Sequence, residues 1–102
     1  MRMMVFAAVL AALGACSSPS LRFVGVEPVT VEVEGWSIDV YADDGAAEAI
    51  RMTVDWDQTP ALMRERGIIA VERATGWVVD RRTVKGDGNI VRMRLTSQPY
   101  TQ

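Results

Sequence analysis

Four aspartates form the densest group of carboxylates in this chain, and carboxylate oxygens are the ligands that Ca²⁺ prefers in proteins. They are Asp43, Asp44, Asp55 and Asp57. The four side chains would meet only if the strand between the two pairs folded back beside the turn expected at Asp43 and Asp44. Their spacing matches no calcium-binding loop, and a turn and the outer face of a strand end explain them more simply. We therefore predict no metal site and no bound cofactor.

A glycine-rich stretch is the second candidate for chemistry. Lys85-Gly86-Asp87-Gly88-Asn89 resembles loops that hold phosphate groups, but it lacks the Gly-Lys-Ser/Thr ending and lies between two predicted strands. A hairpin turn is the better interpretation. The chain has no histidine to act as a base, and no nucleophile motif accompanies its serines or supports a serine–lysine pair with Lys85. The sequence favours a protein that is not an enzyme, with a small-ligand or metal-dependent activity as the alternative.

Positive charge is concentrated in the second half of the chain. Residues 16–57 contain two bases and nine acids, whereas residues 58–102 contain eight bases and four acids. The simpler expectation is that the late arginines pair with the acidic early strands across a sheet. The alternative is a displayed basic face for carboxylates or phosphates. Its residues would be Arg81, Arg82, Arg92 and Arg94.

The three tryptophans each fall at the start or end of a predicted strand: Trp36, Trp56 and Trp77. The rim of the core is the simpler expectation, because tryptophan is large and seldom fully buried. An exposed aromatic patch for a partner is the alternative.

The single cysteine closes an apolar N-terminal segment. Residues 3–15 are 13 apolar or small residues behind Arg2, too few for a membrane-spanning helix, which needs about 20, but typical of a signal peptide. Their end, Leu13-Gly14-Ala15-Cys16, resembles the lipobox of bacterial lipoproteins. That resemblance implies cleavage before Cys16, a diacylglycerol on its thiol and acylation of the new amino group. Ordinary cleavage after Gly14 is the alternative.

This organisation predicts four segments. They are a signal peptide at 1–15, a tether at 16–20, a single domain at 21–96 and a frayed tail at 97–102. By analogy with the sorting of enterobacterial lipoproteins, Ser17 and Ser18, in place of an aspartate after the cysteine, favour the outer over the inner membrane, with the domain in the periplasm. The expected partners are the membrane and an envelope protein; nothing indicates nucleic acid.

Alternating apolar residues predict strands at 29–34, 36–41 and 50–56, and a further short edge strand at 20–28. Asp43-Asp44-Gly45 predicts a turn. The period then changes to that of a helix at 60–75, with Thr59 as its N-cap, Pro60 in its first turn and Gly76 as its end. The residues expected to face the core from this helix are Leu62, Ile69, Ala70 and Ala74.

Two further strands follow the helix, at 77–84 and 90–95, with Val91, Met93 and Leu95 facing inward. The order β-β-β-α-β-β predicts an α+β fold in which a small antiparallel sheet packs on one helix. An OB-like barrel has the same order and is the alternative.

The expected domain also resembles a family. Phe23-Val24-Gly25-Val26, Glu48-Ala49-Ile50-Arg51 and the Thr75-Gly76 helix end are similar to segments of small lipoproteins of alphaproteobacteria for which no activity is known. Many members have a cysteine after that glycine and another near the C-terminus. Here Trp77 follows Gly76 and Cys16 is the single cysteine, so the disulfide that the resemblance implies cannot form.

Overall fold

The computed structural model describes residues 20–101, which form an α+β fold. One open, five-stranded antiparallel sheet packs against one helix, so the OB-like barrel is wrong. A 3₁₀ helix (Leu21–Phe23) precedes the strands. The strands and the helix are β1 (Val29–Val33), β2 (Trp36–Asp43), β3 (Ala46–Arg51), α1 (Pro60–Thr75), β4 (Trp77–Gly86) and β5 (Ile90–Pro99). Their order along the chain is β-β-β-α-β-β, as the sequence predicts.

The strands lie in the sheet in the order β1-β2-β3-β5-β4, so the two hairpins β1–β2 and β4–β5 form its opposite edges. The predicted turn between β2 and β3 is confirmed: Asp44 and Gly45 have φ values of 50° and 75°, which a tight hairpin turn requires. The predicted turn between β4 and β5 is also confirmed. The Asp87 carboxylate closes it by accepting hydrogen bonds from the backbone N–H groups of Asn89 and Ile90.

Helix α1 begins and ends where the sequence predicts. The Thr59 hydroxyl accepts a hydrogen bond from the Leu62 N–H at 3.1 Å, and Gly76 ends the helix in the left-handed conformation, with φ 76°. Its buried face differs from the predicted one, because it is centred on Met63, Gly67 and Ile68. Of the residues predicted to face the core, Ala70 is buried. The others lie at the margin of the core: Leu62, Ile69 and Ala74.

Gly67 allows α1 to lie close to the sheet. A Cβ atom at this position would lie 2.5 Å from Cγ2 of Val91 and 3.6 Å from Cβ of Ala49. The small residues of β3 and this glycine therefore belong to the same close contact. The helix covers one face of the sheet, which we call the covered face; the other face is the open face.

Strand β3 is the main correction to the sequence-based prediction, since it runs from Ala46 to Arg51 rather than over 50–56. Residues 52–58 form the connection to α1, and the apolar side chains of Met52 and Val54 are exposed there. Alanine-rich segments have low strand propensity, so the pattern at 50–56 gave the stronger signal. Tertiary packing decides otherwise, because Ala47 and Ala49 belong to the core that α1 covers.

The chain ends also differ from the prediction. Residues 21–28 contain a 3₁₀ helix and no strand. Residues 97–99 belong to β5 and pair with β4 through Trp77 and Pro99. The Tyr100 N–H then donates to the Gly76 carbonyl at 2.8 Å, so this part of the predicted tail is tied to the end of α1. Within residues 20–101, no helix has the length and apolar character needed to cross a bilayer.

Candidate functional site

A row of three side chains crosses the open face of the sheet. Tyr41 on β2 lies opposite Glu48 on β3, and Glu48 lies opposite Arg92 on β5. Because side chains alternate along a strand, these residues lie on the face opposite to Ala49 and Val91, which contact α1. The pKa of Tyr41 is raised, first by burial and then by the negative charges of Asp39 and Glu48.

Glu48 is the centre of this row and is almost fully buried, with 1% of its surface exposed. The backbone N–H of Ser20 donates to both of its carboxylate oxygens, at 3.2 and 3.3 Å. The Arg92 Nε lies 3.9 Å from the same carboxylate and donates to the Ser20 hydroxyl at 3.1 Å. A buried carboxylate thus holds the last residue of the predicted tether and the arginine of the final strand together.

The segment that follows Ser20 packs onto the same face. Phe23 is buried and its ring lies 6.5 Å from the ring of Tyr41. Arg22 reaches the carbonyl groups of Asp43 and Asp44 in the β2–β3 turn, each at 3.4 Å. These contacts place the Arg22 guanidinium at the β2–β3 turn, where β3 begins at Ala46.

A bulge in β4 completes the site. Asp80 pairs with Arg94 and Lys85 pairs with Arg92, so that residues 81–84 of β4 lie opposite Met93 alone. The Thr83 hydroxyl bridges the bulge: it donates to the Asp80 carbonyl at 2.6 Å and accepts from the Arg94 N–H at 2.8 Å. Bulges change where side chains point and are frequent beside functional sites.

Together these elements form a groove of about 270 Å³, which we call the basic groove. Its cationic residues are Arg22, Lys85, Arg92 and Arg94. Ser20 and Thr83 add two hydroxyl groups, and Phe23 and Ala46 add apolar surface. No aspartate or glutamate is among the described residues that line it. The basic groove can therefore take an anionic group with an apolar neighbour.

The structure brings two of the four predicted arginines into this site. Arg92 and Arg94 line the basic groove. Arg82 instead forms a two-pronged ion pair with Asp80 on its own strand, through contacts of 3.1 Å, and this pair lowers the pKa of Asp80. Arg81 is exposed on the bulge, where its carbonyl accepts a hydrogen bond from Arg64 of α1.

Periodicity alone missed Arg22 and Lys85. Arg22 reaches the groove because the N-terminal segment docks on the sheet, and Lys85 reaches it because β4 has a bulge. No pattern in the few residues around either position predicts the docking or the bulge.

The expected pairing of the late arginines with the acidic early strands is limited to one contact. Residues 29–43 contain four acids and no base, whereas residues 77–99 contain five bases and two acids. The sheet order separates these two hairpins by β3. Among residues 20–101, the one ion pair that joins an early acid to a late arginine is Glu48 with Arg92. The sheet is consequently acidic at one edge and basic at the other.

The four aspartates considered as calcium ligands do not meet. Asp43 and Asp44 lie at the β2–β3 turn, whereas Asp55 contacts Trp36 at the opposite end of β2. The eight residues of β2 span about 23 Å. Within the described part of the chain, no three acidic, histidine or cysteine side chains are grouped so that they could hold a metal ion.

The tryptophans have three different environments. Trp36 is buried, and the guanidinium groups of Arg51 and Arg66 lie over its ring at 5.1 and 4.4 Å from the centroid. Trp77 is 43% exposed at the start of β4. Trp56 is 94% exposed and belongs to the β3–α1 connection rather than to a strand end. The expectation that all three tryptophans lie at the rim of the core is therefore wrong for Trp56.

The predicted signal peptide, the lipobox with Cys16 and the tether up to residue 19 lie outside the described residues. No protein-family model, curated protein or solved structure matches this chain. The candidate site therefore rests on its own geometry: a cationic groove beside the point where the predicted tether meets the domain.

Proposed function

We propose that this chain is a lipoprotein of a bacterial cell envelope, anchored through acyl chains on Cys16, that acts by contact through the basic groove. The domain would lie on the periplasmic side of the membrane, and Ser17 and Ser18 favour the outer membrane over the inner one. Each buried CH₂ group of an acyl chain contributes about 0.8 kcal/mol, so two or more chains hold a protein stably.

The observation that best supports this proposal is the position of Ser20. It is the last residue of the predicted tether, and it lines the basic groove. Four residue steps separate it from Cys16, and an extended chain covers at most about 14 Å in four steps. An acylated Cys16 would therefore keep the basic groove close to the membrane surface.

Binding agrees better than catalysis with the groups at the site. The chain has no histidine, and three of the four cations of the basic groove are arginines, which stay protonated. Its two hydroxyl groups are engaged elsewhere: that of Ser20 accepts a hydrogen bond from Arg92, and that of Thr83 donates to the Asp80 carbonyl. Four clustered cations instead offer several charge-assisted hydrogen bonds to one anionic partner. The alternative of a metal-dependent activity loses its candidate ligands, because the aspartates lie at opposite ends of the sheet.

Mass spectrometry of the N-terminus of the protein purified from membranes tests the anchor. We expect Cys16 as the first residue, with a lipid on its thiol. An unmodified chain that starts at Ala15 would contradict the anchor.

Labelling of Lys85, the one lysine of the chain, tests the binding surface. Because Lys85 lines the basic groove, an amine-acetylating reagent reports directly on whether the groove is covered. We expect acetylation in isolated envelopes to be about fivefold slower than in detergent. High salt should remove this protection, since salt screens exposed charges. Equal rates in envelopes and in detergent would contradict the proposal.

A further inference from the structure

We infer that the basic groove binds the phosphate groups of anionic lipids in the leaflet that holds the anchor. This inference rests on the proposed function and names the ligand of the same groove. Three features of the described residues support it: the donor chemistry of the groove, the exposed apolar side chains beside it and the direction of the charge asymmetry.

The donors of the groove fit a phosphate group. Arg22, Arg92 and Arg94 present planar guanidinium groups, which can donate two parallel hydrogen bonds to phosphate oxygens. Lys85 adds a compact charge and Thr83 a hydroxyl group. Glu48, the carboxylate that pairs with Arg92, is buried and already accepts hydrogen bonds from the backbone of Ser20. An entering phosphate would thus meet donors on the walls of the groove, and no aspartate or glutamate is among the described residues that line it.

The segment that lines the groove where the tether enters also carries two exposed apolar side chains. Leu21 is 90% exposed and Val24 is 69% exposed, on either side of the buried Phe23. Both belong to the segment that Ser20 and Glu48 hold against the open face. Apolar groups beside a row of cations are typical of surfaces that lie in the membrane interface. A soluble anion would leave these side chains in water, whereas a bilayer covers them.

The charge asymmetry would orient the domain on an anionic surface. Ser20, where the tether enters, contacts Arg92 of the basic β4–β5 hairpin, and β1 of the acidic β1–β2 hairpin forms the opposite edge of the sheet from β4. An anionic leaflet attracts the first and repels the second. The short tether then holds the groove at the headgroups, where the effective concentration of lipid phosphate is high.

Acetylation of Lys85 in defined bilayers tests this inference with the lipidated full chain. The protein is reconstituted into phosphatidylcholine vesicles, with or without about one third phosphatidylglycerol, and the acetylation rate is followed by mass spectrometry. We expect the anionic lipid to slow the reaction about fivefold, and high salt to remove the effect. Equal rates in the two vesicles would overturn the inference. Equal protection by inorganic phosphate without anionic lipid would also overturn it.

Two double variants with the same change of net charge separate the groove from general electrostatics. Arg22→Gln with Arg94→Gln removes two groove cations and keeps the contact of Arg92 with Glu48. Arg73→Gln with Arg81→Gln removes two exposed arginines that do not line the groove. We expect the first pair to abolish the lipid-dependent protection and the second to retain it. An equal loss in both would overturn the inference.

Thermal unfolding of each variant confirms that it is folded before labelling. The two proposals fail in different ways. If Lys85 is protected in envelopes but not in anionic vesicles, the lipid inference is wrong and the groove binds an envelope protein instead. If Lys85 is not protected in envelopes, the groove is not a binding surface and the proposed function is wrong.

Discussion

Arg92 places its guanidinium Nε 3.9 Å from the carboxylate of Glu48, and the two side chains differ sharply in environment: the arginine is 61% exposed and the glutamate 1%. The Arg92 side chain therefore compensates a buried charge from the surface. Ser20 completes the contact through its backbone N–H and its hydroxyl group. Arg92 thus has a structural role that Arg94 lacks, although both line the basic groove.

Arg92→Gln should lower the free energy of unfolding by about 1–2 kcal/mol, because it leaves the buried Glu48 carboxylate without its cation. Arg94→Gln, the matched control two residues away, should change it by less than about 0.5 kcal/mol. Urea unfolding of the two variants measures both values. If the variants lose the same stability, the buried contact is not what distinguishes them.

Gly67→Ala should destabilise the protein by about 1–3 kcal/mol, although alanine is the better helix former. The added methyl group would lie 2.5 Å from Cγ2 of Val91, so the helix or the sheet must shift. A double-mutant cycle with Val91→Ala measures the contact, because the double variant should lose less stability than the sum of the two single changes. Strict additivity would place the strain elsewhere.

Thr59→Ala should lower the free energy of unfolding by about 1 kcal/mol, because the Leu62 N–H loses its acceptor at the start of α1. Thr59→Ser keeps a hydroxyl group at this position and is the matched control, with an expected loss close to zero. Thermal unfolding detects the difference as a shift of about 4–8 °C. Equal shifts in the two variants would mean that the hydroxyl group does not cap the helix.

Local chemistry decides the features that the sequence predicts well. The ends of α1 follow from Thr59, Pro60 and Gly76, and the hairpin turns follow from residues that adopt positive φ or close a turn with a carboxylate. Alternation places Arg92 and Arg94 outward on β5, and the structure has both exposed. Each of these signals acts within a few residues of chain.

Contacts between distant residues decide the features that the sequence does not predict. β3 is alanine-rich because α1 approaches it at Gly67, which no periodicity near residue 46 reveals. The basic groove depends on Ser20 meeting Glu48, 28 positions along the chain, and Arg92, 72 positions along the chain. The sequence alone therefore indicates the β5 wall of the site, with Arg92 and Arg94, and does not reveal Lys85 of β4 or the N-terminal segment that closes the groove.

A carboxylate at the far end of β2 links the β3–α1 connection to the core. The Trp36 indole N–H donates to Asp55 at 2.8 Å, and the backbone N–H of Asp57 donates to the same carboxylate at 2.9 Å. These two hydrogen bonds, first that of Asp57 and then that of Trp36, lower the pKa of Asp55, and the nearby charges of Arg51 and Arg66 act in the same direction.

Asp55→Asn should reduce stability in a pH-dependent way. A pKa that is lower in the folded than in the unfolded state means that the ionised carboxylate stabilises the fold above the unfolded pKa, which is about 4. This contribution is lost as the pH falls through the folded-state pKa of Asp55. The difference in unfolding free energy between wild type and Asp55→Asn should therefore be largest near neutral pH and shrink below about pH 4. Urea unfolding at a series of pH values measures it, with Asp57→Asn as the control, because that variant keeps the backbone N–H that Asp55 uses. A gap that stays constant across the series would show that the variant acts through packing, and that the charge of Asp55 contributes nothing to holding the connection against Trp36.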